Sequence, residues 1–244
     1  TIELHVGALR LQLALGEGVH HDRENEALYR PLAALVRGGE RVLDLGCGNG
    51  VLGVIAGLAG AGSVTFADVH EPSVILALEN ARRNGLHSCA GAIGDFLAPL
   101  GDATFDLVLC NPPQTGGPIA LCERHPARYG GTDGAVYFLQ LAAESQQVVP
   151  TLGARIVYCH LSRANPRRVA GAFEGAGFRV QRHISLERSF TLAELDALAP
   201  GTGAHQLELR ARGEADFDGP GPNGADSYTM QQSLWVATRV LTRR

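Results

Sequence analysis

Apolar residues alternate with other residues at Ile2, Leu4 and Val6, and again at Leu9, Leu11, Leu13 and Leu15, with Gly7-Ala8 between the two runs. A period of two places one face of a strand in a core, so this stretch predicts a short β-hairpin. Residues 16–22 read as a loop. The period then changes: Ala27, Leu28, Leu32, Leu35 and Val36 share a helical face that stops at Gly38-Gly39. Pro31 inside that pattern predicts a kinked helix or a late start.

From Arg41 onward, short apolar runs alternate with helical patterns. Strands are predicted over 41–46, 63–69, 89–95, 104–110, 154–161 and 178–186, and helices over 51–58, 72–86, 134–152 and 166–177. Such alternation implies βαβ units, whose parallel strands are covered on both faces. The fold class is therefore α/β, a doubly wound, mostly parallel, seven-stranded sheet with an N-terminal β-hairpin. Residues 211–226 are rich in Gly, Pro and Asp and read as a mobile loop. The last strand, within 227–241, follows no long helix and is expected antiparallel at the sheet edge. Residues 1–40 then form a hairpin and helix acting as a lid or substrate region. Residues 41–244 form the main domain, with an insertion at about 188–226 where substrate selection is expected.

Composition narrows the classes. A chain of 244 residues with 45% apolar content supports one large domain with a sizeable core. A net charge of −4 argues against a large nucleic-acid footprint. All 21 basic residues are Arg, which with abundant Ala and Gly points to codon bias. The five cysteines form no CxxC pair and have no His partners at metal-ligand spacing, so free thiols in a reducing cytoplasm and no metal are expected. The most apolar run, Val51 to Val64, is shorter than a bilayer span, and no membrane association is expected.

Two stretches carry chemistry. "VLDLGCGNGVLG", from Val42, is a strand, a glycine-rich turn and a helix start. Glycines permit positive φ and close approach of a ligand, and a helix N-terminus offers unpaired amides. Gly48, Gly50 and Gly53 satisfy G-x-G-x-x-G, and Asp68 follows about 20 residues on, so a dinucleotide and an NAD-dependent dehydrogenase stay open. Asp44 tips the balance. A carboxylate within a buried strand suits a ligand bearing positive charge, such as an amine or a sulfonium.

The second stretch is "FDLVLCNPPQTGG", Phe105 to Gly117, an apolar strand that runs into Asn111, Pro112, Pro113 and Gln114. A di-proline turn at a strand end directs two acceptors, the Asn111 side-chain oxygen and the Pro112 carbonyl, toward one point. Two acceptors hold the two hydrogens of an NH2 group and stabilise positive charge that grows on its nitrogen. His160, at the end of a later strand, is a candidate proton acceptor or a histidine bonded within the sheet. His20, His21 and Asp22 are candidates for a lid or base, or a solvated turn. Tyr129 and Arg128 are placed either against substrate or on the surface.

"VLDLGCGNG" closely resembles motif I of the class I S-adenosylmethionine-dependent methyltransferases, and the resemblance runs from about Gly16 to Phe178. It implies a Rossmann-like fold that binds S-adenosyl-L-methionine. Gly46, Cys47 and Gly48 would lie against the methionine part, Asp68 would bind the ribose and Gly94, Asp95 and Phe96 would form the adenine site, with Asp44, Asn49, Gly50, Val69 and Asn111 also at the cofactor. "NPPQ" resembles the (N/D/S)PP(Y/F/W) signature of methyltransferases acting on nitrogen. With "RYGGTDGAVYFLQ" after it and "VHHDRENEAL" before motif I, the chain is most similar to glutamine methyltransferases of the HemK/PrmC type. There the fourth position is a ring that stacks on a planar acceptor, worth ~1–3 kcal/mol for a base, and a longer helical recognition domain precedes motif I. Here that position is Gln114, and about 40 residues precede the motif. Both departures point to a small polar amine, amidine or guanidine, bound in part by Gln114, Tyr129, His20 and His21. The alternatives are N-methylation of protein glutamine or of an RNA base, and a cofactor-binding protein that transfers no methyl group.

Overall fold

The computed structural model describes residues 1–19, 26–125, 128–221 and 224–241. His20, His21 and Asp22 lie outside the described residues. The chain divides into two compact units, Thr1–Asn111 with Glu144–Tyr158 and Val236–Arg244, and Pro112–Ala143 with Cys159–Trp235.

In the first unit, β1 (Ile2–Val6) and β2 (Leu9–Leu13) pair antiparallel as the alternation predicts, with Leu4 opposite Leu11. Leu4, Val6, Leu11 and Leu13 are buried, whereas Leu15 is exposed. The strand stops early because its backbone finds another partner. On α4 (Glu71–Arg83), Asn80 accepts the Ala14 amide at 2.7 Å and donates to the Ala14 carbonyl at 3.1 Å. Asn84, one turn later, does the same for Gln12 at 2.9 and 2.8 Å. Two asparagines four residues apart share a helix face, so together they imitate the edge of a strand.

The helix expected after the loop is two short turns, α1 (Glu26–Tyr29) and α2 (Leu32–Leu35). Pro31 lacks an amide hydrogen and its ring crowds the preceding turn, which breaks the helix at that point. A buried ion pair follows: both Glu40 oxygens accept from Arg155 Nη2, at 2.5 and 2.7 Å.

The parallel part of the sheet comprises β3 (Arg41–Leu45), β4 (Ser63–Asp68), β5 (Cys89–Ile93), β6 (Leu107–Cys110) and β7 (Arg155–Leu161). The hydrogen-bonded order is β5-β4-β3-β6-β7. Strands β3 and β6 are almost wholly buried, hence their continuous apolar runs. Helix α3 (Val51–Leu58) is buried through Ala56.

The second unit contains α5 (Ile119–Arg124), the start of α6 (Val136–Val148), and α7 (Pro166–Gly175), whose cap is the Asn165 side chain. After β8 (Phe178–Phe190) come α8 (Leu192–Leu198), α9 (Thr202–Ala211), β9 (Phe217–Asp218) and β10 (Tyr228–Arg239). The sheet order continues β7-β10-β8, with β9 paired antiparallel to β10. Ser162 bonds Gln231 while Ala154 bonds Arg239, so β10 runs antiparallel to β7. The last strand is thus antiparallel as expected, but it lies inside the sheet, and β8 takes the edge.

The stretch between β8 and β10 is more ordered than its composition suggests. Thr191 and Glu194 form a capping box that starts α8. Phe190, Leu195, Leu209, Phe217, Tyr228 and Met230 close a separate apolar cluster. The Phe217 and Tyr228 rings meet edge to face at 5.7 Å, which pins part of the expected mobile loop. Among the described residues, no helix is long and apolar enough to cross a membrane.

Candidate functional site

Strand register brings the sequence motifs of the first unit to one edge. Leu45 pairs with Ala67 and with Cys110, and Asp68 pairs with Ile93. The next residues, Gly46, Gly94 and Asn111, therefore leave neighbouring strand ends beside Asp68. The carboxyl ends of an open α/β sheet are where such folds take ligands.

The turn after β3 has Gly46, Gly48 and Gly50 at φ of 68°, 52° and 78°. Gly46 and Cys47 both donate to the Ala67 carbonyl, at 2.8 and 3.0 Å. The glycines serve different ends. A Cβ on Gly50 would come within 2.7 Å of Ala77, and one on Gly53 within 2.3 Å of Phe66, so these two let α3 pack closely. A Cβ on Gly46 would meet nothing within 4 Å. The G-x-G-x-x-G match thus reflects packing at its later glycines, while the open side of the turn is at Gly46.

Two carboxylates hold this turn. Asp68 accepts the Gly48 amide at 3.0 Å through one oxygen and the His70 amide at 2.9 Å through the other. Each oxygen retains acceptor capacity for a ribose hydroxyl. Asp44 is 1% exposed, and its Oδ2 accepts the Gly53 amide at 2.8 Å, which fixes the first turn of α3. Its Oδ1 is buried and has no partner among the described residues. Burial pushes the Asp44 carboxyl up to about 8, and the nearby Asp68 charge adds to the rise. An ammonium group set against Oδ1 would satisfy an atom that is otherwise costly to bury. Burial raises the Cys47 thiol, and both carboxylates reinforce that rise, so Cys47 is an inert part of the wall.

Asn49 is buried; its side chain accepts the Val51 amide at 3.3 Å, and its carbonyl accepts from Asn80 at 2.9 Å. Asn80 so connects the hairpin to the glycine turn. At the next strand end Gly94 donates to the Asp68 carbonyl at 3.1 Å. Asp95 is exposed, and half-buried Phe96 has a φ of 50°. Val69 is 70% exposed, a large apolar side chain in water beside Asp68. An adenosine-like group would cover it. The unpartnered Asp44 oxygen, the open Gly46 turn and the Asp68 acceptors fit S-adenosylmethionine.

Asn111 is half-buried, and its Nδ2 donates to the phenol of Tyr29 at 3.3 Å. The donor end of the amide faces Tyr29, so the acceptor end is directed away from it. Sequence reasoning read a helix across this segment but gave Tyr29 no role, because no motif marks it.

In the second unit, several side chains occupy places other than those expected of them. Gln114 is buried; its Nε2 donates to the Cys159 carbonyl at 3.1 Å and lies 3.5 Å from the Pro112 carbonyl, and its Oε1 accepts the Leu161 amide at 2.6 Å. Two prolines remove the donors that would continue a ladder, and the Gln114 side chain replaces them along β7. The fourth motif position is therefore structural and presents no hydrogen bond to an acceptor molecule. His160 is 3% exposed, donates through Nε2 to the Ala164 carbonyl at 3.0 Å and meets the Phe138 ring edge to face. Burial pushes its imidazole down to about 4. A base that weak takes no proton near neutral pH, so the histidine is bonded within the strand end. Tyr129 is buried, with its hydroxyl 2.8 Å from Thr202 Oγ1. It ties the loop after the motif to α9 rather than reaching solvent. Asp133 accepts from Asn165 at 2.8 Å and Arg168 at 2.7 Å, a network that no motif announced.

Residues 20–119 match the methyltransferase small domain. The release factor glutamine methyltransferase of Rhodospirillum rubrum is 32% identical over 232 residues, covering 88% of this chain and 69% of that protein. The ribosomal protein L11 methyltransferase of Syntrophotalea carbinolica is 46% identical over 102 residues, which is 41% of this chain and 32% of that protein's length. Among solved structures, a methyltransferase from Pyrococcus furiosus superposes with a TM-score of 0.57 at 15% identity, over 94% of this chain and 90% of its own. That likeness concerns the fold alone.

Proposed function

The chain belongs to the S-adenosylmethionine-dependent methyltransferases of the small-domain family, and within that family we propose that it methylates a nitrogen atom of a small polar molecule. When bound, S-adenosylmethionine supplies an electrophilic methyl group on its sulfonium. The residues of the first unit would hold it: Asp44 at the amine, Asp68 at the ribose and Asp95 at the adenine amine.

The observation that carries the reading is the orientation of Asn111. Its Nδ2 donates to Tyr29, which sets the amide oxygen, the end that accepts an N–H, opposite that bond. The carbonyl of Pro112, the next residue, is the second acceptor. Together they would hold both hydrogens of an amine and stabilise the positive charge that develops on nitrogen. Burial pushes the His160 imidazole down to about 4, which favours water as the acceptor of the departing proton.

A small acceptor is favoured by Gln114, since no ring at that position can stack on a planar amide or base. The relative from Rhodospirillum favours a second reading, the side-chain amide of glutamine in a protein. Incubating the chain with radiolabelled S-adenosylmethionine and a fractionated cell extract separates the two. Label in the small-molecule pool on nitrogen is expected. Label confined to protein would replace the first reading with the second, and label on carbon or oxygen would remove both.

A further inference from the structure

Just after the Asn-Pro-Pro-Gln turn, Thr115 meets an arginine that has no carboxylate partner among the described residues. Arg163 follows β7 and is 7% exposed. Its Nη2 donates to Thr115 Oγ1 at 3.2 Å, while its Nε and Nη1 are buried and meet no acceptor. Arg155, which is also buried, meets the Glu40 carboxylate. Burial pushes the Arg163 guanidinium down to about 10, and the Tyr129 phenol opposes that fall. The guanidinium therefore stays charged at neutral pH. A buried guanidinium with unmade hydrogen bonds is costly unless an acceptor supplies them.

A second side chain, one atom of which has no partner among the described residues, bonds the next residue of the same segment. Gln206 on α9 is fully buried and donates through Nε2 to the Gly116 carbonyl at 2.8 Å, while its Oε1 has no partner. Gly116 is the residue after Thr115, so both groups face the same two-residue segment. A cation lacking acceptors and an amide oxygen lacking a donor together describe a ligand with an oxyanion and an N–H or O–H.

We propose that Arg163, with Thr115 and Gln206, forms a subsite that binds the oxyanion, a carboxylate or phosphate, of a molecule also carrying a hydrogen-bond donor. Guanidinium suits both anions because its planar N–H groups match their oxygens. Thr115 directly follows Gln114, so the subsite adjoins the turn along the chain. Assigning its occupant as the methyl acceptor rests on the methyl-transfer reading above; the anion site itself does not.

The test uses the full chain and calorimetry at constant ionic strength, with acetate, inorganic phosphate and the neutral acetamide as probes. Saturable binding of acetate or phosphate, and none of acetamide, is expected, and the anion that binds identifies the source. Arg163→Gln should weaken that binding by about tenfold or more while S-adenosylhomocysteine binds as in the wild type. Arg163→Lys, which keeps the charge, should lie between them and serves if Arg163→Gln does not fold. Equal response to acetate and acetamide, no response to either anion, or an unchanged anion affinity in the variants would overturn the subsite. Loss of S-adenosylhomocysteine binding by the wild type would instead overturn the cofactor reading and leave the subsite standing.

Discussion

Asn111 Nδ2 donates to the Tyr29 phenol at 3.3 Å, a bond that orients the asparagine amide. Tyr29 is buried, so the phenol is a fixed reference point. Removing it leaves the amide free to rotate and present its nitrogen. Tyr29→Phe should lower kcat by about fivefold, the equivalent of one neutral hydrogen bond of ~1 kcal/mol. Affinity for S-adenosylhomocysteine should not change. Stopped-time assays alongside calorimetry check this, and a parallel loss of cofactor affinity would mark Tyr29 as merely structural.

Replacing Asn111 itself removes the acceptor. Asn111→Ala should retain cofactor binding and lose ~10²–10³ in kcat, the usual effect of deleting one preorganised polar group in a transition state. Turnover near that of the wild type would take Asn111 out of this role.

The strands β3 and β6 were legible because they are almost wholly buried, and burial writes itself into sequence as short apolar runs. The glycine turn and Asp68 were legible because they follow a local pattern. What was not legible depends on contacts between distant positions. Nothing in the sequence says that Asn80 and Asn84 replace a strand edge for Ala14 and Gln12, since either residue suits an exposed helix face. Gln114 looked like a variant of a substrate contact, yet it completes a ladder that two prolines interrupt. The position of β10 inside the sheet is set by which neighbour each strand finds, not by its own residues. Helix α8 is a different case, because Thr191 and Glu194 spell a capping box that composition-based reading of the insertion passed over.

Asp44 makes both folding and binding depend on pH. Its carboxyl titrates near 3.8 when unperturbed and is pushed up to about 8 in the fold. The folded state therefore holds a proton that the unfolded chain has lost. This contribution to stability is fully present below about pH 4 and is lost as pH rises through about 8. Asp44→Asn should flatten that part of the stability curve in denaturant titrations between pH 5 and 8. An ammonium group placed at Oδ1 favours the carboxylate, so S-adenosylhomocysteine binding at pH 7 should release up to about one proton. Calorimetry in buffers of different ionisation enthalpy measures that release. The Asn variant should show none from this site, and equal release from both proteins would rule out Asp44 as the amine's partner.

Glu40 and Arg155 form a pair in which removing one member leaves a buried charge alone. The Glu40 carboxylate also accepts the Arg37 amide at 2.7 Å, and Arg155 also donates to the Leu35 carbonyl, so the pair fastens the end of the broken helix beside β3 and β7. Arg155→Met should destabilise the fold by ~3–5 kcal/mol, and Glu40→Gln by less, because the amide still accepts from Arg155. The double change Glu40→Leu with Arg155→Met should recover much of the loss, since neither charge then remains to be desolvated. Urea titrations of the three variants test this, and a double variant no more stable than Arg155→Met would mean that the loss comes from packing and not from an uncompensated charge.

Gln114 gives a sharper contrast with motif-based expectation. If its side chain served an acceptor molecule, an aromatic residue there would alter turnover and leave stability alone. Two of its bonds instead lie along β7, and Gln114→Tyr would strip the Cys159 carbonyl and the Leu161 amide of these partners in a buried place. Each orphaned group costs about 1–3 kcal/mol. Gln114→Tyr should therefore lower stability by roughly 2–5 kcal/mol, read from denaturant midpoints. Gln114→Glu should cost as much or more at neutral pH, because a carboxylate cannot donate to the Cys159 carbonyl. A Tyr variant as stable as the wild type, with changed substrate preference, would return the position to the role that the motif suggested.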